Sequence, residues 1–282
     1  MWDTLIVTPM TNILLLIYSL VGNFGVAIIL FTILIKIATH PLMAKQIKSS
    51  ARMQELMKSD EWTKIQAKYK DDKEKLAQEQ MRIYKEQGVN PLGACFPTLI
   101  QFPVIIGLYQ SINRVMGVSP LQLVDLVRSI TDPAWAWMGQ IFPAASIGAL
   151  LPINTQFLWM NLGQPERILA DIVPFGGIPT LAIIVGLTTY IQTKLTVMPS
   201  ANPNDQSAQM TKMMGIYMPL MLFWFSLNFA SGLAVYFIIS NLAGIAQYAA
   251  LGKVNWRNLL SFRSQSQPEP KSKSTPAKKS KK

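Results

Sequence analysis

The chain has 282 residues, half of them hydrophobic and only 15% charged, with 26 Lys and Arg against 15 Asp and Glu. Soluble domains carry about 25% charged residues, and here five long stretches, 4–35, 87–113, 133–165, 172–193 and 213–252, carry no charged side chain at all. Each is at least as long as the roughly 20 residues that cross about 30 Å of hydrocarbon as a helix, which excludes an ordinary soluble enzyme and describes an all-α polytopic membrane protein.

Residues 1–20 are apolar, carry Asp3 and are interrupted by Pro9. With no Lys or Arg, the stretch lacks the basic start of a cleavable signal peptide. It reads as a short helix along the outer interface, anchored by Trp2; a membrane-inserted segment continuous with the next is the competing reading. The first span covers 21–43, with Pro41 and Leu42 at its end. Residues 44–91 are rich in Lys, Glu, Gln, Met and Ala, which are good helix formers. Apolar residues recur there at helical spacing: Ile47, Met53, Leu56, Met57, Trp62, Ile65 and Tyr69, then Leu76, Ile83 and Tyr84. Asp71-Asp72 marks a break and Asp72 can cap the second helix, so the segment is expected to be a cytoplasmic hairpin of two antiparallel helices. Most of its charges read as a solvated surface.

The second span covers 92–113, an external loop 114–173, the third span 174–196 and a cytoplasmic loop 197–212. In the external loop an apolar run at 141–151 is bracketed by Pro143 and Pro152 and reads as interfacial rather than spanning. The last uncharged gap holds 40 residues, too long for one crossing at 1.5 Å per residue. It divides into spans at 213–229 and 232–252, turning at Asn228-Phe-Ala-Ser-Gly232. Charge placement agrees: eleven Lys/Arg lie in 44–90 and nine in the tail 253–282, against only Arg114, Arg128 and Arg167 in 114–171. Five spans put both basic regions in the cytoplasm and the N-terminus outside, as the positive-inside rule requires; six would export the tail. The Ser/Pro/Lys-rich tail cannot bury a core. It suits a polyanion, either anionic lipid or ribosomal RNA, or serves only to enforce topology.

Cys95 and His40 are the sole cysteine and histidine, so an internal disulfide and a Cys/His zinc site are both excluded. No phosphate-binding Gly-rich motif occurs. The expectation is a protein without cofactor and without enzymatic chemistry, driven by partitioning, electrostatics or a partner.

Lys36 is the most informative residue. It lies roughly 8–10 Å inside the cytoplasmic edge at helical rise, where an unpaired Lys costs up to about 2.5–3.5 kcal/mol. The other proposed spans contain no acidic residue. The ammonium either snorkels to the interface or faces water held among the helices. Thr32 shares its face. Gln101, Thr188, Thr189, Gln192, Asn241 and Gln247 offer polar partners, and Trp224, Tyr236 and Phe237 offer rings. Each polar group alone could bond a neighbouring helix; together with the uncompensated cation they point to a hydrated groove. Methionines at 53, 57, 81, 213 and 214 gather toward the same side. Ordinary packing accounts for most of them, yet flexible thioethers also suit the capture of varied apolar segments.

Several stretches carry a family resemblance: Ile35-Lys-Ile-Ala-Thr-His-Pro-Leu42, Ile65-Gln-Ala-Lys-Tyr69, Val89-Asn-Pro-Leu-Gly-Ala-Cys-Phe-Pro-Thr-Leu-Ile-Gln-Phe-Pro103, Phe157-Leu-Trp159, Tyr190-Ile-Gln192 and Ser231-Gly-Leu-Ala-Val-Tyr-Phe-Ile-Ile-Ser-Asn241. In this order, on five spans, the chain resembles the YidC/Oxa/Alb family of membrane protein insertases from about residue 20 to 252. The resemblance implies a five-helix core around a hydrophilic groove, open to cytoplasm and lipid and closed toward the outside. It puts Lys36 where the family usually carries Arg, Thr32 on a groove position, Gln192 on the polar residue of the third span and Phe237 on the aromatic of the fifth. Gln101, Thr188, Tyr236 and Asn241 join them as groove contacts, while Met53, Met57, Met81, Met213 and Met214 are candidates for cytoplasmic capture. Lys lacks the bidentate fork of Arg, a departure from the pattern. The large periplasmic domain of some members and the lipoprotein cysteine of others have no counterpart in these residues.

The function implied is insertion of nascent membrane proteins, in a bacterial cytoplasmic membrane, without nucleotide hydrolysis. Implied partners are the nascent chain, the ribosome at the basic tail, anionic lipids and the Sec translocon, with no DNA. A secondary transporter or channel is the alternative, although paired repeats with broken helices are missing from five unequal spans. An assembly scaffold of a translocon is the other.

Overall fold

In the computed structural model, the residues described are 1–57, 59–69, 72–88, 96–116, 124–128, 133, 153–168, 177–196, 206–254 and 256. The apolar run at 141–151, most of the loop 197–212 and nearly all of the tail lie outside them. Among the described residues the chain is mostly helical. A π-helical turn, Asp3–Val7, runs directly into α1, Thr8–Val21. Pro9 falls in the first α-turn, where proline is tolerated. After Gly22, α2 spans Phe24–Leu56, started by Asn23, whose side chain accepts from the Val26 N–H at 3.2 Å. Next come α3, Asp60–Lys68; α4, Lys73–Glu86; and α5, Phe96–Val115. A two-stranded hairpin, β1 Gln156–Phe157 and β2 Met160–Asn161, precedes α6, Thr180–Thr196. The chain closes with α7, Gln206–Asn228, and α8, Ser231–Ala250.

The helix carrying the first predicted span does not stop at Pro41. It continues through the proline for four more turns, about 50 Å in all at 1.5 Å per residue for its 33 residues. The expected first hairpin helix is therefore split. Residues 45–56 belong to α2, and α3 starts afresh at Ser59, whose hydroxyl accepts from the Trp62 N–H at 3.2 Å. Asp72 caps α4 as its position predicts, accepting from the Lys75 N–H at 3.1 Å. Trp62, early in α3, packs on Tyr84, late in α4, with ring centroids 5.4 Å apart. That pairing of opposite ends is the sense of an antiparallel pair.

The main core gathers α1, α2, α5 and α8 around Leu14, Phe24, Ile28, Phe31, Leu108, Ile112, Leu233 and Tyr236. α8 packs against both α2 and α6, and α7 lies along α6. Outward, the helices present apolar stripes. On α7, Met213, Ile216, Tyr217, Leu220, Met221 and Trp224 are all exposed, at the three-and-four spacing of one helix face. A contiguous apolar face of this kind requires an apolar solvent or a partner. By length and hydropathy, three described helices can cross a membrane: Asp3–Val21, Phe24–Met53 and Ser231–Ala250.

Candidate functional site: a cleft around Lys36

The face of α2 carrying Thr32, Ile35, Lys36, Thr39, Leu42 and Met43 borders a small cleft, completed by Gln101 and Val104 of α5 and Tyr236 of α8. The positions on α2 recur every three or four residues, so one helix face supplies two-thirds of the lining. The cavity measures about 20 Å³, room for about one water at the ~10–15 Å³ that a water centre needs. Thr32 is fully buried, and its hydroxyl donates to the Ile28 carbonyl at 2.7 Å; that of Thr39 donates to the Ile35 carbonyl at 2.8 Å. Both are thereby held in their own helix, with oxygen lone pairs still able to accept. The Gln101 amide donates to the Tyr236 hydroxyl across the cleft.

Lys36 is half-buried in this lining. Among the described residues no carboxylate pairs with its ammonium. Its backbone, by contrast, is tied down: Gln247 Nε2 of α8 donates to the Lys36 carbonyl at 2.9 Å. Pro41 lies one turn beyond, where it leaves the Ile37 carbonyl without its helical donor. The bond from α8 thus braces α2 next to the weakest point of its ladder. Sequence reasoning took Gln247 as one polar partner among several and passed over Thr39. Its place three residues after Lys36 was the signal for Thr39; nothing local marks an amide that reaches another helix's backbone.

Three of the remaining predicted groove residues lie on a different seam. Asn241 donates to Thr189 Oγ1 at 2.8 Å and to Thr188 Oγ1 at 3.1 Å, joining α8 to α6. One turn on, the Gln192 amide lies over Gly244, where a Cβ would approach it to 2.5 Å. Phe237 is buried in the main core beside Tyr236, ring centroids 5.6 Å apart. The structure therefore brings together Lys36, Thr32, Gln101 and Tyr236, and sets Asn241, Thr188 and Gln192 along the α6–α8 contact. Met53 and Met57 are half-buried at the end of α2, while Met81 and Met213 are exposed. The side chain of Met214 lies outside the described residues.

The far end of the bundle is covered by residues 153–168. Glu166 accepts from Thr180 Oγ1 at 2.6 Å, from the Leu181 N–H at 3.0 Å and from Trp159 Nε1 at 3.1 Å, capping α6. The Gln164 and Leu162 carbonyls accept from the Ser231 and Gly232 N–H groups at 2.9 and 3.0 Å, capping α8. The Asn154 N–H donates to Tyr18 Oη at 2.9 Å, and Asn23 Nδ2 to the Gln156 carbonyl at 3.3 Å. Four helix ends are held to one short segment, and sequence reasoning assigned no such role to Glu166.

The model of the family described as "60Kd inner membrane protein" matches residues 16–257. The chain belongs to that family, the YidC/Oxa/Alb family. Among these insertases it is 34% identical over 251 residues to "Membrane protein insertase MisCA" of Bacillus subtilis, covering 87% of this chain and 77% of that protein. It is 35% identical over 248 residues to "Membrane protein insertase YidC" of Syntrophobacter fumaroxidans, but spans only 37% of that longer protein. A crystal structure of an active YidC insertase aligns over 82% of this chain and 42% of that one, with 24% identity and a TM-score of 0.49. Family membership and the apolar helices make this a membrane protein.

Proposed function

We propose that this chain inserts nascent membrane proteins into the lipid bilayer, using the cleft at Lys36 to pass the polar flank of a hydrophobic segment. The observation that carries this reading is a half-buried ammonium, lined by Thr32, Gln101 and Tyr236, with no carboxylate partner among the described residues. Such a charge is costly within a membrane, and an acidic or polar substrate flank would compensate it in passing.

Five spans are the topology this reading uses. The starts of α2, α6 and α8 are all tied to residues 153–168, which supports a parallel orientation for these three. α5 and α7 return between them, α7 ending at Asn228 just before α8 begins. With 153–168 outside, the basic hairpin and tail lie in the cytoplasm, in line with the positive-inside rule. α1 then rests on the outer face: Asp3 pairs with Arg114 at the end of α5, and Tyr18 packs on Phe24 at the start of α2. On that orientation both ends of α1 lie on one side, which supports an interfacial helix rather than a crossing one.

In the sequence of events, α3, α4 and the methionines near them receive the hydrophobic segment, and its short polar flank enters the cleft. The cavity must widen from about one water to admit it, by parting α2, α5 and α8 at the Gln101–Tyr236 bond. The segment then moves into lipid. Its apolar area leaves water at about 25 cal/mol per Å², so no nucleotide is needed; the cleft lowers the barrier for the polar part. The basic tail contacts a polyanion, ribosomal RNA or anionic lipid, and the Sec translocon is a candidate neighbour.

The test is reconstituted insertion of a single-span substrate with an acidic tail. Hydrogen bonds to charged groups are worth about 1.5–3 kcal/mol, so Lys36→Ala should slow insertion roughly ten- to hundredfold, whereas Lys36→Arg should support it. Wild-type insertion by Lys36→Ala would remove the cleft from the mechanism.

A further inference from the structure

At the outer end, residues 157–160 make the turn of the β-hairpin. Leu158 has φ +54°, the only positive φ at a non-glycine among the described residues. A branched L-residue rarely holds this conformation, and it persists only where the surroundings over-determine it. The base of the hairpin does so. Gln156 pairs with Asn161 and Phe157 with Met160. The Leu162 N–H donates to the Thr155 carbonyl at 3.0 Å. The Phe157 ring sits so close over Gly25 that a Cβ there would lie 2.2 Å from its Cγ.

This rigid base holds two large apolar side chains outward, Leu158 at 72% and Trp159 at 55% exposure. We propose that the turn is an anchor that seats Leu158 and Trp159 in the headgroup layer of the outer leaflet.

The depth fits. Phe157 touches the first turn of α2, and Trp159 reaches the first turn of α6 through Glu166. The exposed apolar faces of those two helices start within two turns of these points, at Leu30 and Ile33 on α2 and at Ile183 and Ile184 on α6. The tip is thus level with the outer boundary of those faces. Trp159 has the split character of an interfacial residue, its indole N–H donating to Glu166 and its ring exposed. Leu20 and Val21, exposed at the end of α1, continue the apolar surface beside Asn23, which itself bonds the hairpin. No charged residue lies between Asp132 and Glu166, so the partner is the apolar and dipolar part of the interface, not an anionic headgroup. The proposal rests on α2 being a span, not on the insertion reaction.

The experiment places a nitroxide at position 158 (Leu158→Cys with Cys95→Ser) in the full chain, reconstituted in phosphatidylcholine bilayers. Collision rates with oxygen, which concentrates in lipid, are compared with those of a water-soluble nickel chelate. Ile33→Cys on the exposed apolar face of α2 is the lipid reference, and Lys75→Cys on α4 the aqueous one. An oxygen-to-nickel ratio at 158 several-fold above that at 75 and below that at 33 is expected, with thermal unfolding matching the parent and no requirement for anionic lipid. A second label site, Leu20→Cys, should read the same environment. A ratio at 158 equal to that at 75 overturns the anchor, as does a tip shielded only after other membrane proteins are added, which would make it a protein-docking surface. If position 33 also reads as aqueous, the span assignment of α2 fails and the anchor falls with it.

Discussion

The two ends of the helix bundle solve opposite problems. At the end covered by 153–168, helix starts have named partners: Glu166 for α6, Gln164 and Leu162 for α8, Asn23 for α2. At the other, Lys36 sits in a cleft without a carboxylate among the described residues, on a helix that runs through a proline. Satisfied polar groups rigidify in a low-dielectric setting, and unsatisfied ones demand water or a ligand. One end is therefore closed by satisfied hydrogen bonds, and the cleft keeps a polar deficit. On the proposed function, stability belongs mostly to the first and insertion mostly to the second.

Breaking the closed end should have the largest effect on stability. Glu166→Ala removes the acceptor of three bonds at once, and at about 1.5–3 kcal/mol for a bond to a charged group, allowing for non-additivity, the loss should be about 3 kcal/mol. Thermal unfolding in detergent measures it, and Glu166→Gln, which keeps an acceptor oxygen, should lose less. A melting temperature unchanged by Glu166→Ala would mean that the cap does not hold the outer end.

The cleft should respond in the opposite direction. Lys36→Met removes an unpaired cation while keeping most of the side chain's length, and its membrane cost of up to about 2.5–3.5 kcal/mol is lessened toward the membrane edge. A gain of about 1 kcal/mol in stability is expected together with a loss of insertion, the signature of a residue retained for function at the expense of the fold. Destabilisation by Lys36→Met would instead make the ammonium a structural group. Smaller again is the α6–α8 seam. Interhelical hydrogen bonds in membranes average about 0.6 kcal/mol and reach about 1.7. A double-mutant cycle of Asn241→Leu with Thr189→Val should return a coupling in that range, with insertion rates per folded molecule near those of the parent. A strong insertion defect in Asn241→Leu would move this seam into the groove.

Much of this contrast was readable from residue chemistry, because what a membrane penalises stands out in a sequence. Lys36, Thr32 and Gln101 are legible as polar groups in apolar stretches and Tyr236 as a ring beside them, and the structure sets all four around one cleft. The turn at 228–232 and the cap at Asp72 followed from local rules that hold in isolation. What could not be read depends on distant partners. The sequence places the first span at 21–43 and a separate hairpin helix after it, yet α2 runs on to Leu56, with Gln247 bracing it from 211 residues away. Asn241 and Gln192 look like groove residues by the same criterion as Gln101. Only the packing of α8 against both α2 and α6 assigns Gln101 to one side and Asn241 to the other. Glu166 resembled any loop carboxylate until three donors converged on it.

The smallest expected effect lies at the start of α4, where it isolates a local rule from the rest of the fold. Hydrogen bonds from Lys75, backbone first and side chain second, hold the Asp72 carboxyl below its usual range. A carboxylate with a depressed folded-state pKa stabilises the fold fully above its unfolded value of about 3.9, and that contribution disappears as pH falls through the folded value. The start of α4 should therefore keep its protection between neutral pH and about pH 5, then loosen as the solution becomes more acidic. Hydrogen exchange at the Lys75 amide, corrected for the intrinsic pH dependence of exchange, reads this directly. Asn is as good a cap as Asp but does not titrate, so Asp72→Asn should retain protection at neutral pH and flatten the acid response. An acid-induced loss that survives Asp72→Asn would assign the sensitivity to another carboxylate, with Glu79 and Glu86 the first to examine, since both pair with Arg82 on the same helix. Because the side chain is only half-buried and bonds within its own helix start, the change should remain within the first turns of α4 and leave the Lys36 cleft, held by α2, α5 and α8, unaltered.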